Sequence, residues 1–147
     1  MNEEHNISFA SAVNEAIKLE MAYDPFVVSM GLGHNDPKRI FGTTKDLLED
    51  FGPERARDMP ISENAVTGIC VGLALRGYKP ILTHQRVDFA LLSMDQIVNS
   101  AAKWRYMFNR TEGLPIVIRM IVGRGWGQGP THSQSLEKIF LGIDNVA

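Results

Sequence analysis

The chain of 147 residues has the length of one domain and is long enough to bury a hydrophobic core. Apolar residues make up 44% and charged residues 22%, which is ordinary for a globular protein, and no run is long and apolar enough to span a membrane. The net charge of -2 provides no basic field for a phosphate backbone, so we expect no nucleic-acid partner. The polar start of the chain contains no targeting pattern, and we expect a cytoplasmic protein.

A helix and a buried strand are predicted first along the chain. Ser8 is a suitable N-cap, and apolar residues at helical spacing after it predict a helix that ends near Met21. The short apolar run 26–30 is typical of a strand that is buried on both faces. Residues 31–36 contain two glycines, but the third glycine of a dinucleotide motif is missing and Pro37 opposes an immediate helix, so we interpret them as a turn.

A helix that begins with an acid comes next. Residues 37–57 predict a surface excursion with one short helix over 44–50. A proline and Ser62 then predict the start of a buried helix whose first turn contains Glu63. The helix dipole favours an acid there by a few tenths to about 1 kcal/mol, which is an ordinary structural reason for its presence. A carboxylate at the boundary between polar surface and core can also take part in acid–base chemistry, although this stretch alone favours the structural interpretation.

The second half of the chain continues the alternation of strands and helices. The elements predicted there are a strand over 79–83, a long helix over 88–107 capped by Asp88, a strand over 115–122, a glycine-dense loop over 123–130 and a last helix over 136–141. This order predicts an α/β fold in which helices cover both faces of a parallel sheet, a three-layer sandwich. We expect Glu63, the segment 84–89 and the loop 123–132 to converge at one edge of that sheet, where open α/β sheets bind ligands.

Six motifs along the chain carry a resemblance to a known family. They are Pro60-Ile61-Ser62-Glu63, Gly77-Tyr78-Lys79-Pro80, Asp88-Phe89, the run from Asp95 to Lys103, Pro115-Ile116-Val117 and His132-Ser133-Gln134-Ser135. In this order and spacing the chain resembles the beta subunit of the thiamine-diphosphate-dependent first component of 2-oxoacid dehydrogenase complexes. The resemblance covers nearly the whole chain and implies the pyrimidine-binding domain of the transketolase-like superfamily. Gly129-Pro130-Thr131-His132 is similar to transketolase itself.

The resemblance implies roles for three residues. Glu63 corresponds to the acid that hydrogen-bonds a nitrogen of the cofactor's aminopyrimidine ring and thereby activates the cofactor. Phe89 corresponds to the aromatic residue that stacks against this ring, and His132 to the histidine near the substrate and the reacting carbon. Without the resemblance, Phe89 would be interpreted as a core residue and His132 as a solvated loop residue.

The family divides the cofactor between two domains, which implies a partner. A Gly-Asp-Gly…Asn motif on the partner holds the diphosphate and its magnesium, and this chain contains no such motif. We therefore expect an alpha-type subunit as partner, self-association as in an alpha2beta2 heterotetramer, a small 2-oxoacid substrate and no metal ligand in this chain. In the family, further strands and a C-terminal domain follow, so residues 1–147 are expected to be a pyrimidine-binding domain that is incomplete at its C-terminus.

Four residues depart from the family's pattern. Members commonly have an acid after the glycine that ends the first strand, so one polar contact near the cofactor or partner is either missing here or supplied by His34. Arg86 and Arg124 are expected on the solvated surface, with contact to an anionic substrate or to the partner as the alternative. Trp126 is expected either to cap the site or to anchor an interface.

Three functions are compatible with these residues. The first is the beta half of a heteromeric thiamine-diphosphate enzyme that oxidatively decarboxylates a 2-oxoacid. The second is half of a split transketolase-type enzyme that transfers carbon units between sugar phosphates. The third is a homologous module that has lost catalysis and acts as a structural or regulatory partner.

Overall fold

A four-stranded parallel sheet organises the chain, which the computed structural model describes for residues 6–123 and 125–146. The strands are β1 (Val27–Gly31), β2 (Ala56–Asp58), β3 (Lys79–His84) and β4 (Val117–Met120), and their spatial order is β2-β1-β3-β4. All five residues of β1 are buried, as expected for an apolar strand at the centre of a sheet that is covered on both faces. Gly31 pairs with both Asp58 and Thr83, so three strands end side by side.

We call the two edges where strands begin and end the amino edge and the carboxyl edge. The carboxyl edge consists of the segments that follow β1, β2 and β3, which are residues 32–44, 59–62 and 85–89. The amino edge consists of residues 24–26, 55 and 79, which precede or begin the same strands.

Helices connect the strands. They are α1 (Phe9–Tyr23), α2 (Leu47–Phe51), α3 (Glu63–Leu75), and a helical segment 87–107 that contains α4 (Val87–Ala90), a 3-10 turn (Leu91–Ser93), a π-helix (Asp95–Ala102) and α5 (Trp104–Met107). A single 3-10 turn (Glu137–Ile139) lies near the end of the chain. Within the described residues, no helix combines the length and the apolarity needed to cross a membrane.

Hydrophobic side chains fill the space on both faces of the sheet. One buried cluster joins α1, α2 and the sheet through Ile17, Met21, Val27, Leu47 and Ala56. The other joins α3 to the sheet through Val28, Met30, Val66, Cys70 and Leu82. Val27 and Val28 are neighbours in β1 and belong to different clusters, because successive strand residues point to opposite faces. The three-layer α/β architecture predicted from the sequence is therefore confirmed.

The start of α1 and the end of α3 show how the local sequence sets the limits of a helix. The hydroxyl of Ser8 accepts a hydrogen bond from the Ser11 amide at 3.1 Å, which confirms the predicted N-cap, and α1 extends two residues beyond Met21. Gly77 has a φ of +90° and ends α3, and the Tyr78 amide donates to the Leu73 carbonyl at 3.0 Å. This left-handed conformation is accessible to glycine without steric strain.

Residues 37–57, predicted as a surface excursion with one short helix, contain that helix but are more buried than a surface excursion. Ile40, Thr44 and Leu47 are almost completely buried, and the last part of the segment forms β2. β2 has three residues, of which two are exposed and charged, so it lacks the apolar run by which a strand is recognised. The short helix α2 begins three residues later than predicted.

The helix predicted over 88–107 is continuous in direction but irregular in its turns. Asp88 lies inside the first turn of α4 rather than at its cap, and the π-helix occupies the middle of the segment. Gly68 of α3 faces this region, since a Cβ atom at Gly68 would lie 3.3 Å from the side-chain oxygen of Gln96. The last predicted helix, over 136–141, is reduced to the 3-10 turn, and β4 is shorter than predicted.

Candidate functional site

A small cavity lies at the carboxyl edge of the sheet. It measures about 20 Å³, roughly the space of one water molecule. Its lining comes from the loop after β1, the loop after β2, the first turn of α3, the end of β3 and α4: Leu32, Met59, Pro60, Glu63, Val66, Leu82, Thr83, His84, Gln85 and Phe89. Glu63 and Phe89, which the sequence analysis selected for different reasons, therefore lie at the same cavity.

Glu63 is held in place by its backbone. It is the first residue of α3, and the hydroxyl of Thr67 donates to its carbonyl oxygen at 2.8 Å, although the Ser62 side chain makes no capping bond. The residue is half-buried, and among the described residues no group donates a hydrogen bond or forms an ion pair with its carboxylate. The carboxylate of Glu63 is therefore available at the cavity as a hydrogen-bond acceptor.

His84 begins the predicted ligand segment 84–89, although the sequence analysis gave it no role of its own. It is 4% exposed, and its Nε2 atom lies 3.4 Å from the Thr67 hydroxyl and 3.3 Å from the Ser93 hydroxyl. Burial lowers the pKa of His84, and the nearby Glu63 opposes this shift only in part. The imidazole is therefore neutral at neutral pH and places no fixed cation beside the carboxylate. The polar end of β3 was the available signal for this position.

Two hydrogen-bonded residues fix the loop after β1 against the cavity. The side-chain amide of Gln85 donates to the Leu32 carbonyl at 3.0 Å. The carboxylate of Asp58 accepts from the backbone amides of Gly33 and Met59, each at 2.9 Å. These bonds join the ends of β1, β2 and β3, so the walls of the cavity are held by the sheet itself.

His132 lies against the outer side of the same site. Its ring meets Phe89 edge-to-face, with ring centroids 5.3 Å apart and an interplanar angle of 84°. The hydroxyl of Thr131 lies 3.0 Å from Nδ1 of His132. Glu63, the segment that ends at Phe89 and the glycine-dense loop thus meet at one edge of the sheet, and the predicted convergence is confirmed.

The expectation that Arg86 lies on the solvated surface was wrong. Arg86 is 8% exposed, and its guanidinium lies 4.1 Å from the ring centroid of Trp126 and 5.3 Å from that of Phe41. Burial lowers the pKa of the guanidinium, although nearby Asp88 opposes the shift. The reason for this burial is that Arg86 joins aromatic residues from two other loops, a contact that is invisible in the local sequence. Arg124 lies outside the described residues.

His34 and Trp126 also have defined positions. His34 is completely buried, and its Nε2 atom lies 2.9 Å from the Ser29 hydroxyl, so it is a core residue and does not line the cavity. The Trp126 ring packs against Phe41 with centroids 5.2 Å apart. Gly123 permits this fold of the loop, because a Cβ atom there would lie 2.7 Å from the Trp126 ring and 2.8 Å from the His132 carbonyl oxygen.

The arrangement suits a planar ring that contains nitrogen. The Glu63 carboxylate provides an acceptor for a ring N–H, and the half-buried ring of Phe89 provides an apolar face for stacking. The cavity is smaller than a six-membered ring, so it cannot enclose such a ring completely. Among the described residues, no group of three or more His, Cys, Asp or Glu side chains is placed to hold a metal ion.

Comparison with known proteins agrees with this geometry. The family model of the transketolase pyrimidine-binding domain matches residues 5–147. The 2-oxoisovalerate dehydrogenase subunit beta of Bacillus subtilis is 39% identical over 91% of this chain and 41% of its own length. The acetoin:2,6-dichlorophenolindophenol oxidoreductase subunit beta of Cupriavidus necator is 39% identical over 95% of this chain and 44% of its own length.

A plant relative extends the comparison. The mitochondrial pyruvate dehydrogenase E1 component subunit beta-1 of Arabidopsis thaliana is 43% identical over 84% of this chain and 34% of its own length. The chain thus spans between about a third and less than half of the length of these relatives. Because the family model covers nearly every residue and the parallel sheet brings the motif residues to one edge, the chain belongs to the transketolase pyrimidine-binding domain family.

Proposed function

We propose that this chain forms the pyrimidine-binding half of a thiamine-diphosphate site in a heteromeric enzyme that oxidatively decarboxylates a 2-oxoacid. The relatives described above are named as beta subunits of 2-oxoacid dehydrogenases and of an acetoin oxidoreductase, which supports this class of enzyme over a split transketolase. The observation that carries the proposal is the uncommitted Glu63 carboxylate beside Phe89 at the cavity. A site that had lost catalysis has no physical reason to keep Glu63, Phe89 and His132 together.

Each of the three residues has a separate task in this proposal. Glu63 would hold a proton between its carboxylate and a nitrogen of the aminopyrimidine ring. Burial lowers the pKa of His84, which lies beside Glu63, so His84 adds no fixed positive charge there. Phe89 would bind the face of the ring and fix its plane. His132 would face the substrate and hold or release a proton there. Thiamine diphosphate, when bound, supplies an electron sink for the carbon next to the carboxylate that is lost.

The proposal includes a partner. The cavity of about 20 Å³ cannot enclose the ring, so a second wall is required, and an alpha-type subunit that carries the diphosphate-binding domain and its magnesium would provide it. Self-association into an alpha2beta2-like assembly and a small 2-oxoacid substrate belong to the same proposal. A cytoplasmic location also belongs to it, although the Arabidopsis relative is named as mitochondrial.

Calorimetry with thiamine diphosphate and magnesium tests the shared site. We expect no tight binding by this chain alone and tight binding by the chain together with its co-encoded partner. Absence of binding in the mixture would contradict the proposal and favour the non-catalytic module.

Replacing Glu63 tests its role directly. Glu63→Gln keeps the shape of the side chain but removes its ability to exchange a proton, so we expect turnover in the complex with the partner to fall by about 10²- to 10⁴-fold. The free energy of unfolding should change by no more than about 1 kcal/mol, since the residue lies at a helix start. Glu54→Gln is the matched control, because Glu54 is exposed and its one ion pair among the described residues is with Arg57 at 2.8 Å. Near-full turnover of Glu63→Gln would show that Glu63 is not the activating acid.

A further inference from the structure

The loop that carries His132 is attached to the rest of the molecule at two points. We define the histidine loop as residues 125–134. Toward its start, Nη2 of Arg86 donates to the side-chain oxygen of Gln128 at 2.8 Å, and the same guanidinium packs on the Trp126 ring. At its end, the side-chain amide of Gln134 donates to Oδ1 of Asp88 at 2.7 Å, and the Gln134 backbone amide lies 3.4 Å from the same oxygen. His132 lies between the two attachments.

Both attachments come from one short segment of the sheet edge. Arg86 and Asp88 follow the last residue of β3 and flank Val87, which is 1% exposed. Arg86 and Asp88 are themselves 8% exposed, whereas Gln128 and Gln134 are exposed, so each bond to the histidine loop is partly buried. Each bond has one charged partner, and such hydrogen bonds are stronger than those between neutral groups. Phe89, the ring that His132 contacts, is the next residue along the same segment.

We propose that Arg86 and Asp88 form a two-point clamp that positions His132 against Phe89. The clamp ties the position of the imidazole to the end of β3, which also carries His84 and Gln85 at the cavity. The histidine loop contains glycines at 125, 127 and 129 and has no regular secondary structure. Its backbone alone therefore cannot fix a side chain to the accuracy that catalysis needs. The effect of the clamp on turnover rests on the proposed function, whereas its effect on the place of His132 does not.

The geometry favours a clamp over direct binding of an anionic substrate by Arg86. Nη1 of Arg86 donates to the Gln85 carbonyl at 2.6 Å and Nη2 is bonded to Gln128. The remaining nitrogen, Nε, has no hydrogen-bond partner among the described residues, but it is buried. A substrate carboxylate would therefore have to displace the bonds to Gln85 and Gln128 before it could reach the guanidinium in a bidentate manner.

Nuclear magnetic resonance of the histidine side chains tests the clamp without any assay of activity. The chain has four histidines, so labelling one carbon of each imidazole with ¹³C gives four signals. The signal that is absent from the His132→Gln variant is that of His132. The edge-to-face contact gives His132 a ring-current shift, and Phe89→Leu defines the signal without it. We expect Arg86→Gln and Gln128→Ala to move the His132 signal toward the Phe89→Leu position, and Asp88→Asn to move it less. Arg76 is an exposed arginine at the C-terminal end of α3, so Arg76→Gln should leave the His132 signal unchanged.

Kinetics of the same variants in the complex with the partner supply the second readout. Displacement of a catalytic group by about 1 Å costs roughly 10²-fold in rate, so we expect Arg86→Gln to lower kcat by up to that factor with little change in the KM for the 2-oxoacid. Arg86→Gln combined with Gln128→Ala should be no worse than Arg86→Gln alone, because both remove the same bond. Arg86→Lys, which keeps the charge and one donor, should recover part of kcat.

Three outcomes would overturn the clamp or its link to catalysis. The first is an unchanged His132 signal in Arg86→Gln. The second is a moved signal with unchanged kcat, which would remove the link from position to catalysis. The third is a raised KM with unchanged kcat and a neutral Gln128→Ala variant, which would assign Arg86 to the substrate anion instead. If the complex shows no activity at all, the proposed function fails, and the His132 signal still decides whether the clamp exists.

Discussion

The two edges of the sheet each contain an arginine that joins loops, and the two arginines are satisfied in different ways. At the amino edge, Nη2 of Arg55 donates to the carbonyls of Met21, Asp24 and Val27 at 2.6, 2.8 and 2.9 Å. All three acceptors are backbone atoms, which are present whatever the side chains are. At the carboxyl edge, Arg86 donates one hydrogen bond to the backbone carbonyl of Gln85 and one to the side chain of Gln128 in the glycine-dense loop, and its buried Nε atom has no partner among the described residues.

The same contrast holds for the other buried polar atoms. Within the described residues, four buried side-chain atoms lack a hydrogen-bond partner, and they belong to Asp36, Arg39, Arg86 and Asp88. All four residues lie in the segments that follow β1 and β3. Unpaired buried polar groups cost free energy, so these four atoms call for a partner such as an ordered water, an ion or another molecule. The amino edge is therefore a closed structural end, and the carboxyl edge is the end that is left open for function.

The largest effect that we expect concerns the closed end. Arg55→Ala removes the donors for three carbonyls that join α1 to β1, and hydrogen bonds to charged groups are among the stronger ones in proteins. We expect the free energy of unfolding to fall by about 2–4 kcal/mol, as measured by urea denaturation. Arg57→Ala, two residues further along the chain in β2, is the matched control, since its exposed pair with Glu54 should be worth no more than about 0.5 kcal/mol. Equal losses in the two variants would break the comparison between the edges.

The sequence was informative where local patterns decide the structure and uninformative where distant residues meet. The start of α3 at Glu63, the buried β1 and the parallel alternation follow from capping, apolar runs and element order. β2 was missed because its residues are too few and too polar to form a pattern. The burial of Arg86 depends on Phe41 and Trp126, which are 45 and 40 residues away along the chain. The spacing of hydrophobic residues along the chain cannot indicate a contact between residues so far apart.

The residues of the candidate site also differ in how far the local sequence indicated them. Glu63 was placed by its helix start and by the resemblance, whereas the selection of Phe89 and His132 depended on the resemblance alone. The rings of Phe89 and His132 lie 5.3 Å apart in the folded chain, a contact that the sequence does not indicate. His84 belonged to the predicted ligand segment 84–89, but no local pattern distinguished it from the other polar residues of that segment. Its significance lies in its burial beside Glu63, which only the packing of α3 on β3 reveals.

A second prediction concerns the carboxyl edge and the way in which two buried histidines make the stability of the protein depend on pH. Burial lowers the pKa of both His34 and His84 below the ordinary value of 6.5, so below that pH the unfolded chain binds protons that the folded chain does not. Stability should therefore fall as the pH drops from about 7 toward 5, by at most about 1.4 kcal/mol per pH unit for each histidine. Urea denaturation at several pH values measures this slope. His34→Gln and His84→Gln, each with a neutral side chain of similar reach, should reduce it, and a slope unchanged in the double variant would exclude both histidines as its source.

The smallest effect that we expect returns to the closed end, where the charged groups are paired at the surface. Nζ of Lys79 lies 2.7 Å from Oδ2 of Asp24, and this hydrogen bond, with a second one from the Phe26 amide, lowers the pKa of Asp24 below 3.8, while the same partner raises the pKa of Lys79 above 10.5. The contribution of Asp24 is thus present above pH 3.8 and is lost as the pH falls through its lowered folded pKa. That of Lys79 is present below pH 10.5 and is lost as the pH rises through its raised folded pKa.

Between these limits the amino edge should be insensitive to pH, which is the property that distinguishes it from the carboxyl edge. Lys79→Gln should leave the slope between pH 7 and 5 unchanged and flatten the loss of stability below pH 4, because Asp24 then titrates nearer its ordinary pKa. Urea denaturation at pH 7, 5, 4 and 3 separates the two ranges. If Lys79→Gln instead altered the slope of stability between pH 7 and 5, the two edges would be coupled through β3, whose first residue is Lys79 and whose last is His84. That result would contradict the division into a closed amino edge and an open carboxyl edge.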